Sequence, residues 1–353
     1  MARKVLILTD GKAGHENQSK AFARALGCDF DLVEIHFKSA FHKALSYLFD
    51  RFGVHTLSLF ANWPRQARPS RADEEREGRA CRGHEYCAVL GTGSSTFYAA
   101  KSLARKMGVK CGVVLYPRGY RIASFDCVLA PAFDRPAPAP NVIPIPVNLV
   151  ASDAAFYAAG TEAFRTRYTP SEHPAVAIIV GGPNKCSTLS ADWMRSQLNQ
   201  IFSTYKPQTT NHKPQATNHE IWVTTSRRTP PEVEAVVDSF PFDYKLLYSK
   251  DHFNPIPAFV QLASTLYVTA ESTGMISESC TFGTAEVRVL DNLKPGPHKF
   301  RRFVEDLAHG GYVDGARKVD LSEQFARARQ LLKINLGDRA SERTRNERRS
   351  ENR

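Results

Sequence analysis

No stretch of this 353-residue chain approaches the ~18 uncharged apolar residues that a membrane-crossing helix needs. Its start runs straight into β-prone apolar residues with no signal-type apolar segment, so no secretory leader is expected. The seven cysteines (Cys28, Cys81, Cys87, Cys111, Cys127, Cys186, Cys280) are odd in number and include no C-x-x-C pair. That argues against a disulfide framework and for a reducing, cytoplasmic setting. Cys81-Arg-Gly-His84-Glu-Tyr-Cys87 has a spacing zinc can use. It lacks an obvious fourth ligand, and Cys87 belongs to the apolar run 86–90, so no metal is expected. The dinucleotide fingerprint G-x-G-x-x-G is absent, as are helix-turn-helix, zinc-finger and RNP patterns. Nucleic acid is therefore not an expected partner.

What the chain does have is charge of one sign, unevenly placed. Residues 1–150 hold 21 basic against 13 acidic side chains, residues 151–337 hold 20 against 19, and residues 338–353 hold 6 against 4. A basic first half implies an anionic partner there, such as a glycan or an acidic lipid. Between residues 37 and 60, Phe41, Leu45, Leu48, Phe49 and Phe52 recur at three- and four-residue steps beside Lys38, His42, Lys43 and Arg51. A basic amphipathic helix of that kind either lies in an anionic membrane interface or packs plainly on a sheet. The expected exposed face is Phe41, Leu45, Phe49 and Phe52.

Strand-like and helix-like segments alternate, which predicts parallel sheets. Strands are expected near residues 5–9, 30–37, 86–90, 110–116, 126–131 and 142–145, with helices near 16–26 and 95–107. After the proline-dense stretch 131–146 and a connecting helix near 152–165, the pattern restarts. Strands are expected there near 175–180, 220–225, 244–248, 266–270 and 286–290, with helices near 190–202 and 321–333. The restart predicts two domains, 1–150 and 151–337, and a disordered charged tail at 338–353. Residues 62–82 read as a polar excursion. Lys206-Pro-Gln-Thr-Thr-Asn-His212 is nearly repeated as Lys213-Pro-Gln-Ala-Thr-Asn-His219, a surface-loop insertion.

Two strand ends carry candidate chemistry. In the run from Leu266 to Glu278, an apolar strand gives way to Glu271-Ser-Thr-Gly274 and then to helical residues from Met275. A helix N-terminus opening through small residues aims backbone N–H groups at one point, a geometry suited to phosphate. Ser272, Thr273 and Gly274 are the candidate phosphate cradle, and Glu278 is placed to accept from ribose hydroxyls. An ordinary crossover is the plain alternative. Near the start, Asp10-Gly-Lys-Ala-Gly-His15 follows a buried strand. Gly11 and Gly14 permit a tight turn and close approach, while Asp10 and His15 flank the loop where α/β ligands bind.

The combined motifs carry a resemblance. Thr9-Asp-Gly-Lys-Ala-Gly-His-Glu-Asn-Gln18, Gly181-Gly-Pro-Asn-Lys185, Thr224-Thr-Ser-Arg-Arg-Thr-Pro230, Asn254-Pro-Ile256 and Val268-Thr-Ala-Glu-Ser-Thr-Gly-Met-Ile-Ser-Glu278 stand in the order found in the mitochondrial-fission Elm family. The chain resembles that family over roughly residues 4–310, and the family in turn resembles glycosyltransferases of the GT-B fold.

The resemblance implies an α/β, GT-B-like protein: two Rossmann-like domains with parallel sheets facing across a cleft, the Asp10–His15 loop opposite the loops at 181–184 and 272–274, and the terminal helix near 321–333 packing back toward the first domain. It implies a nucleotide-sugar donor bound by Gly181, Gly182, Asn184, Ser226, Arg227, Ser272, Thr273, Gly274 and Glu278. It also implies a glycan or glycolipid acceptor near Gly11, Gly14 and Arg118. Asp10 or His15 is the expected base, Asp10 the favoured one, with no cofactor and no metal. The setting implied is the cell envelope, for instance lipopolysaccharide synthesis, on the inner face of the membrane.

The other reading is a non-catalytic scaffold acting as a membrane-associated regulator. A short-chain-dehydrogenase epimerase is excluded by the missing glycine fingerprint, and because Tyr98-Ala-Ala-Lys101 is one residue short of Tyr-x-x-x-Lys. The family usually has Asp-Ser at Glu271-Ser272, Glu-Ala at Glu278-Ser279, and a Gly-x-Pro where Gly283-Thr-Ala285 stands.

Overall fold

The computed structural model describes residues 3–61, 86–206, 219–315 and 317–335. The Cys81/His84 spacing, the excursion at 62–82, most of the tandem duplication and the charged tail lie outside the described residues. Two compact units divide the chain: residues 1–145 together with 321–353, and residues 146–320. The first unit thus ends slightly before residue 150 and regains the C-terminal segment.

In the first unit, six strands lie side by side: β1 (Lys4–Thr9), β2 (Asp29–Glu34), β3 (Tyr86–Thr92), β4 (Lys110–Val114), β5 (Cys127–Pro131) and β6 (Val142–Ile145). All pairings are parallel, in the order β2-β1-β3-β4-β5-β6. Sheets of this kind are covered on both faces, which is why the central strands read as unbroken apolar runs. Val5, Leu6, Ile7 and Leu8 of β1 are all buried. The helices are α1 (Ala13–Ala25), α2 (Ala40–Arg51), α3 (Phe97–Met107) and, from the far end of the chain, α10 (Ser322–Leu331). α10 packs on β5 and β6, and Arg327 and Arg329 donate to the carbonyls of Pro140 and Ala25, each at 2.8 Å.

The second unit has five parallel strands in the order β11-β10-β7-β8-β9. They are β7 (Ala175–Val180), β8 (Glu220–Thr225), β9 (Tyr244–Leu246), β10 (Ala263–Thr269) and β11 (Glu286–Leu290). Its helices are α4 (Ala154–Arg165), α5 (Ala191–Tyr205), α6 (Pro231–Asp238), α7 (Ile256–Leu262), α8 (Thr273–Thr281) and α9 (Lys299–His309). The α/β class with parallel sheets is as expected. The helices α6, α7 and α9 go beyond the sequence reading.

Each sheet reverses direction beside its first strand. The chain builds outward from β1 to β2, then returns to lay β3 on the other side of β1; in the second unit it builds from β7 to β8 and β9, then returns to lay β10 against β7. At such a switch point the two following loops diverge and leave a crevice at the carboxyl ends of the strands, where open α/β sheets bind ligands. The crevices fall between the loops after β1 and β3, and between the loops after β7 and β10.

One helix differs from expectation. Phe41, Leu48 and Phe52 are exposed, but Leu45 and Phe49 pack on the core. α2 therefore buries one side of what the sequence reading took for a single exposed face. Its base is pinned by a buried ion pair: Lys101 Nζ of α3 bonds Asp50 Oδ1, each side chain 1% exposed. Asp50 Oδ2 also accepts the Arg121 N–H at 2.6 Å. The ammonium lies 4.8 Å from the Tyr120 ring centre and 4.9 Å from that of Phe125. Burial pushes the Lys101 pKa down, against the opposing pull of Asp50.

Candidate functional site

In the N-terminal unit the β1 loop brings Asp10 and His15 together. Gly11 adopts φ +77, a left-handed turn that favours glycine. The chain then enters α1 at Ala13, and His15 on the first turn swings its ring back over the strand end. His15 Nδ1 lies 3.0 and 3.2 Å from the two carboxylate oxygens of Asp10. Lys12 Nζ stands 3.2 Å from Asp10 Oδ2. Burial of Asp10 raises its pKa, but the His15 hydrogen bond and charge, with Lys12, outweigh this and hold it below its ordinary 3.8. The Asp10 side chain is 5% exposed and the His15 side chain 24%. With Nδ1–H donated to Asp10, Nε2 carries the lone pair. Gly14 has open space where a side chain would stand.

The β3 loop, Gly91-Thr-Gly-Ser-Ser95, completes this crevice and was not assigned from sequence. Gly93 sits at φ +87, and a Cβ there would lie 2.4 Å from His15 Cε1, so the imidazole rests directly on the glycine. Thr92 Oγ1 bonds Ser19 Oγ of α1 at 2.6 Å. Lys43 Nζ of α2 donates to Ser94 Oγ at 2.9 Å. A glycine pair closing an apolar strand was the available signal, the same grammar as Gly11 and Gly14. Arg118 does not point free: it donates to the main-chain carbonyl of Asp134 and lies 5.4 Å from the Tyr116 ring centre. Asp126 is taken by Lys110 at 2.5 Å.

In the second unit the loops after β7 and β10 interlock. Gly181 N–H donates to Thr269 Oγ1 at 2.9 Å, and Thr229 Oγ1 donates to the Gly181 carbonyl at 2.6 Å. A Cβ on Gly181 would lie 2.0 Å from Glu271 Oε1, and one on Gly182 2.3 Å from the Arg228 carbonyl. Neither glycine is replaceable without moving main chain or a buried acid. Asn184 spends its side-chain oxygen on the Cys186 N–H at 2.7 Å, so it shapes the turn. Ser226 closes a turn with Thr229, whose Oγ1 accepts the Ser226 N–H at 2.9 Å. Arg227, next along, is exposed.

The sequence reading put Glu271 in the turn and started the helix at Met275. In the structure α8 begins at Thr273, with Ser272 as its N-cap residue. Its first helical bond is Ile276 N–H to the Ser272 carbonyl at 3.0 Å. The N–H groups of Thr273, Gly274 and Met275 precede that bond and have no acceptor within the helix. Gly274 meets nothing within 4 Å. Glu271 lies in the turn as expected, and its side chain is buried. Its carboxylate accepts from Thr269 Oγ1 at 3.0 Å and Asn292 Nδ2 at 2.8 Å, a brace between β10 and the end of β11.

Glu278 accepts a hydrogen bond from Tyr157 Oη of α4 at 2.8 Å, a partner 121 residues away that spacing did not reveal. Burial raises the Glu278 pKa above its ordinary 4.5, with Tyr157 only partly opposing this. A raised folded-state pKa gives stability that is present below pH 4.5 and lost as pH rises through the folded value. Glu278→Gln removes the ionised form while keeping an acceptor for Tyr157. The variant should therefore melt higher than wild type at neutral pH, with the two curves converging as pH falls to about 4. Melting curves across that range check it.

Among the described residues no group of three or more His, Cys, Asp or Glu side chains is arranged to hold a metal ion, and no helix is long and apolar enough to cross a membrane.

Two parallel α/β units with glycine loops at their switch points define a protein of Rossmann-like architecture. The chain belongs to the mitochondrial fission ELM1 family, whose profile matches residues 13–343. No curated protein matches it. Among solved structures it is similar to MurG of Acinetobacter baumannii, at 14% identity over 94% of this chain and 92% of that one, with a TM-score of 0.46. It is also similar to UDP-GlcNAc 2-epimerase of Neisseria meningitidis bound to UDP-GlcNAc, at 12% identity over 96% and 95%, TM-score 0.45. A third is the E. coli ADP-heptose lps heptosyltransferase II, at 10% identity over 93% and 98%, TM-score 0.43.

Proposed function

We propose that this chain is a metal-independent glycosyltransferase of GT-B type that moves a sugar from a nucleotide-sugar donor to an envelope glycan or glycolipid acceptor. The observation that carries the reading is the Asp10–His15 pair at one switch point and the unpaired α8 N-terminus at the other. The second unit holds the donor. Its phosphates lie against the N–H groups of Thr273 and Gly274, with the helix dipole favouring negative charge. Gly181 and Gly182 let the loop after β7 seat against Glu271 and Arg228, and Arg227 adds a cation. As the sugar departs, charge grows on the leaving phosphate, and preorganised donors at that point supply the main stabilisation. The free oxygen of Glu278 is the ribose acceptor.

The first unit supplies the base. Asp10 is buried and fully engaged, so His15 Nε2 takes the proton from the acceptor hydroxyl, and Asp10 fixes the tautomer and holds the imidazolium that forms. This reverses the order of preference read from sequence. Gly14 leaves room for the acceptor.

Thermal shift with UDP, GDP, CMP and ADP in parallel tests the donor site. One nucleotide should raise the melting temperature. Glu278→Ala should weaken that binding by about 1.5–3 kcal/mol, the usual worth of a hydrogen bond to a charged group. Tyr157→Phe, which spares the carboxylate, should weaken it less. No stabilisation by any nucleotide would leave the non-catalytic scaffold as the reading.

A further inference from the structure

The transfer chemistry leaves one surface of the N-terminal unit unused. On α2 and its C-cap, Phe41, Leu48 and Phe52 are 70, 51 and 73% exposed, and Val54 just beyond is 44% exposed. Steps of seven and four residues set the first three on one stripe of the helix. Single exposed apolar side chains are ordinary, but a contiguous stripe marks an interaction surface.

Beside it Arg51 of α2 and Arg121, in the turn after β4, line a groove of about 540 Å³ together with Tyr47 and Tyr120, whose rings stack at 4.3 Å. The one carboxylate lining the groove, Asp50, is spent on Lys101 and on the Arg121 N–H. Both guanidinium groups are thus left without an acidic partner among the described residues, and Lys38 at the start of the helix is exposed as well.

Apolar rings next to uncompensated cations match an amphiphile layer with anionic headgroups. A soluble anion has no use for the stripe, and nucleic acid has none for so much aliphatic and phenyl surface. We propose that this face docks on an acidic phospholipid membrane, with Phe41, Leu48 and Phe52 entering the acyl boundary and a headgroup phosphate held between Arg51 and Arg121. α2 also reaches the candidate catalytic loop, because Lys43 bonds Ser94. Arg51 lies about 12 Å further along at 1.5 Å per residue. A glycolipid acceptor in the same layer would present its sugar end toward His15. That last step rests on the glycosyltransferase reading, whereas the docking does not.

Sedimentation of the full chain with phosphatidylglycerol–phosphatidylcholine vesicles, against phosphatidylcholine alone, tests the docking. Binding is expected on the acidic vesicles only, and should fall with salt as the field is screened. Arg51→Gln with Arg121→Gln should weaken it about 25-fold, roughly fivefold per charge. Phe41→Ser with Phe52→Ser should weaken it about tenfold or more, since inserted apolar area is lost. Lys250→Gln, a charge removed from the other unit, should leave it unchanged. The proposal is overturned by absence of binding at low salt, by wild-type binding in either double variant, or by an equal loss in Lys250→Gln. A protein that takes this face while vesicles do not bind also overturns it. Nucleotide binding is read separately by thermal shift, so failure of the donor site and failure of the membrane site are distinguishable.

Discussion

His15→Ala is expected to cut sugar transfer by about 10²–10⁴-fold, the usual contribution of a positioned general base, while nucleotide binding by the second unit stays at wild-type strength. Asp10→Asn should fall in the same range, because a neutral amide neither fixes the imidazole tautomer nor supports the charge that forms on it. The double variant should be little worse than either single one, since the two residues act as one unit. The pH dependence separates the roles. A carboxylate base with a pKa held below 3.8 would leave the rate flat from neutral pH down to about 4. A rate that falls well above that pH excludes Asp10 as the proton acceptor. Single-turnover transfer assays across pH, run beside nucleotide titrations, decide it. If His15→Ala transfers sugar as wild type does, the site is misassigned.

The second large effect concerns stability. Asp50→Ala strands the Lys101 ammonium in an apolar cage, and removing one partner of a buried pair typically costs about 3–5 kcal/mol. That is a large fraction of the stability of a typical domain. Asp50→Leu combined with Lys101→Met should recover most of the loss, because two apolar side chains no longer leave a charge unpaired. Denaturant midpoints of Asp50→Leu, Lys101→Met and the double variant give the coupling. Additive losses would show that the pair does not act as a pair. The same cycle bears on α2, since Asp50 is the residue that ties this helix to α3 and to the Arg121 turn.

What was legible in the sequence was local. β1, β7 and β10 are strands buried on both faces, so they announce themselves as apolar runs, and the small residues that end them mark the loops at the switch points. Helices with little local signal were missed. α7 is seven residues long with proline at its start, and α9 interleaves Phe300, Phe303 and Leu307 with basic residues. β9, three residues long, was drawn too long. The pairing of Glu278 with Tyr157, the seat of His15 on Gly93, and the Lys101–Asp50 pair all join residues far apart in the chain. Only the fold creates those contacts. The burial of Glu271 was hidden for a related reason: its partners Thr269 and Asn292 meet it only in the folded chain.

The return of α10 to the N-terminal sheet has a consequence for how the protein is made. The first unit is discontinuous, with residues 146–320 intervening between its two pieces. Its outer strands β5 and β6 wait for residues 322–331 to cover them, and Ala328 and Leu332 fill that side of the sheet. On the ribosome, where domains mature from the N-terminus onward, the second unit is complete in sequence before the first one is. The half of the protein carrying Asp10 and His15 is therefore finished last, and a chain cut short at residue 320 would emerge with its second unit whole and its first unit open along one flank.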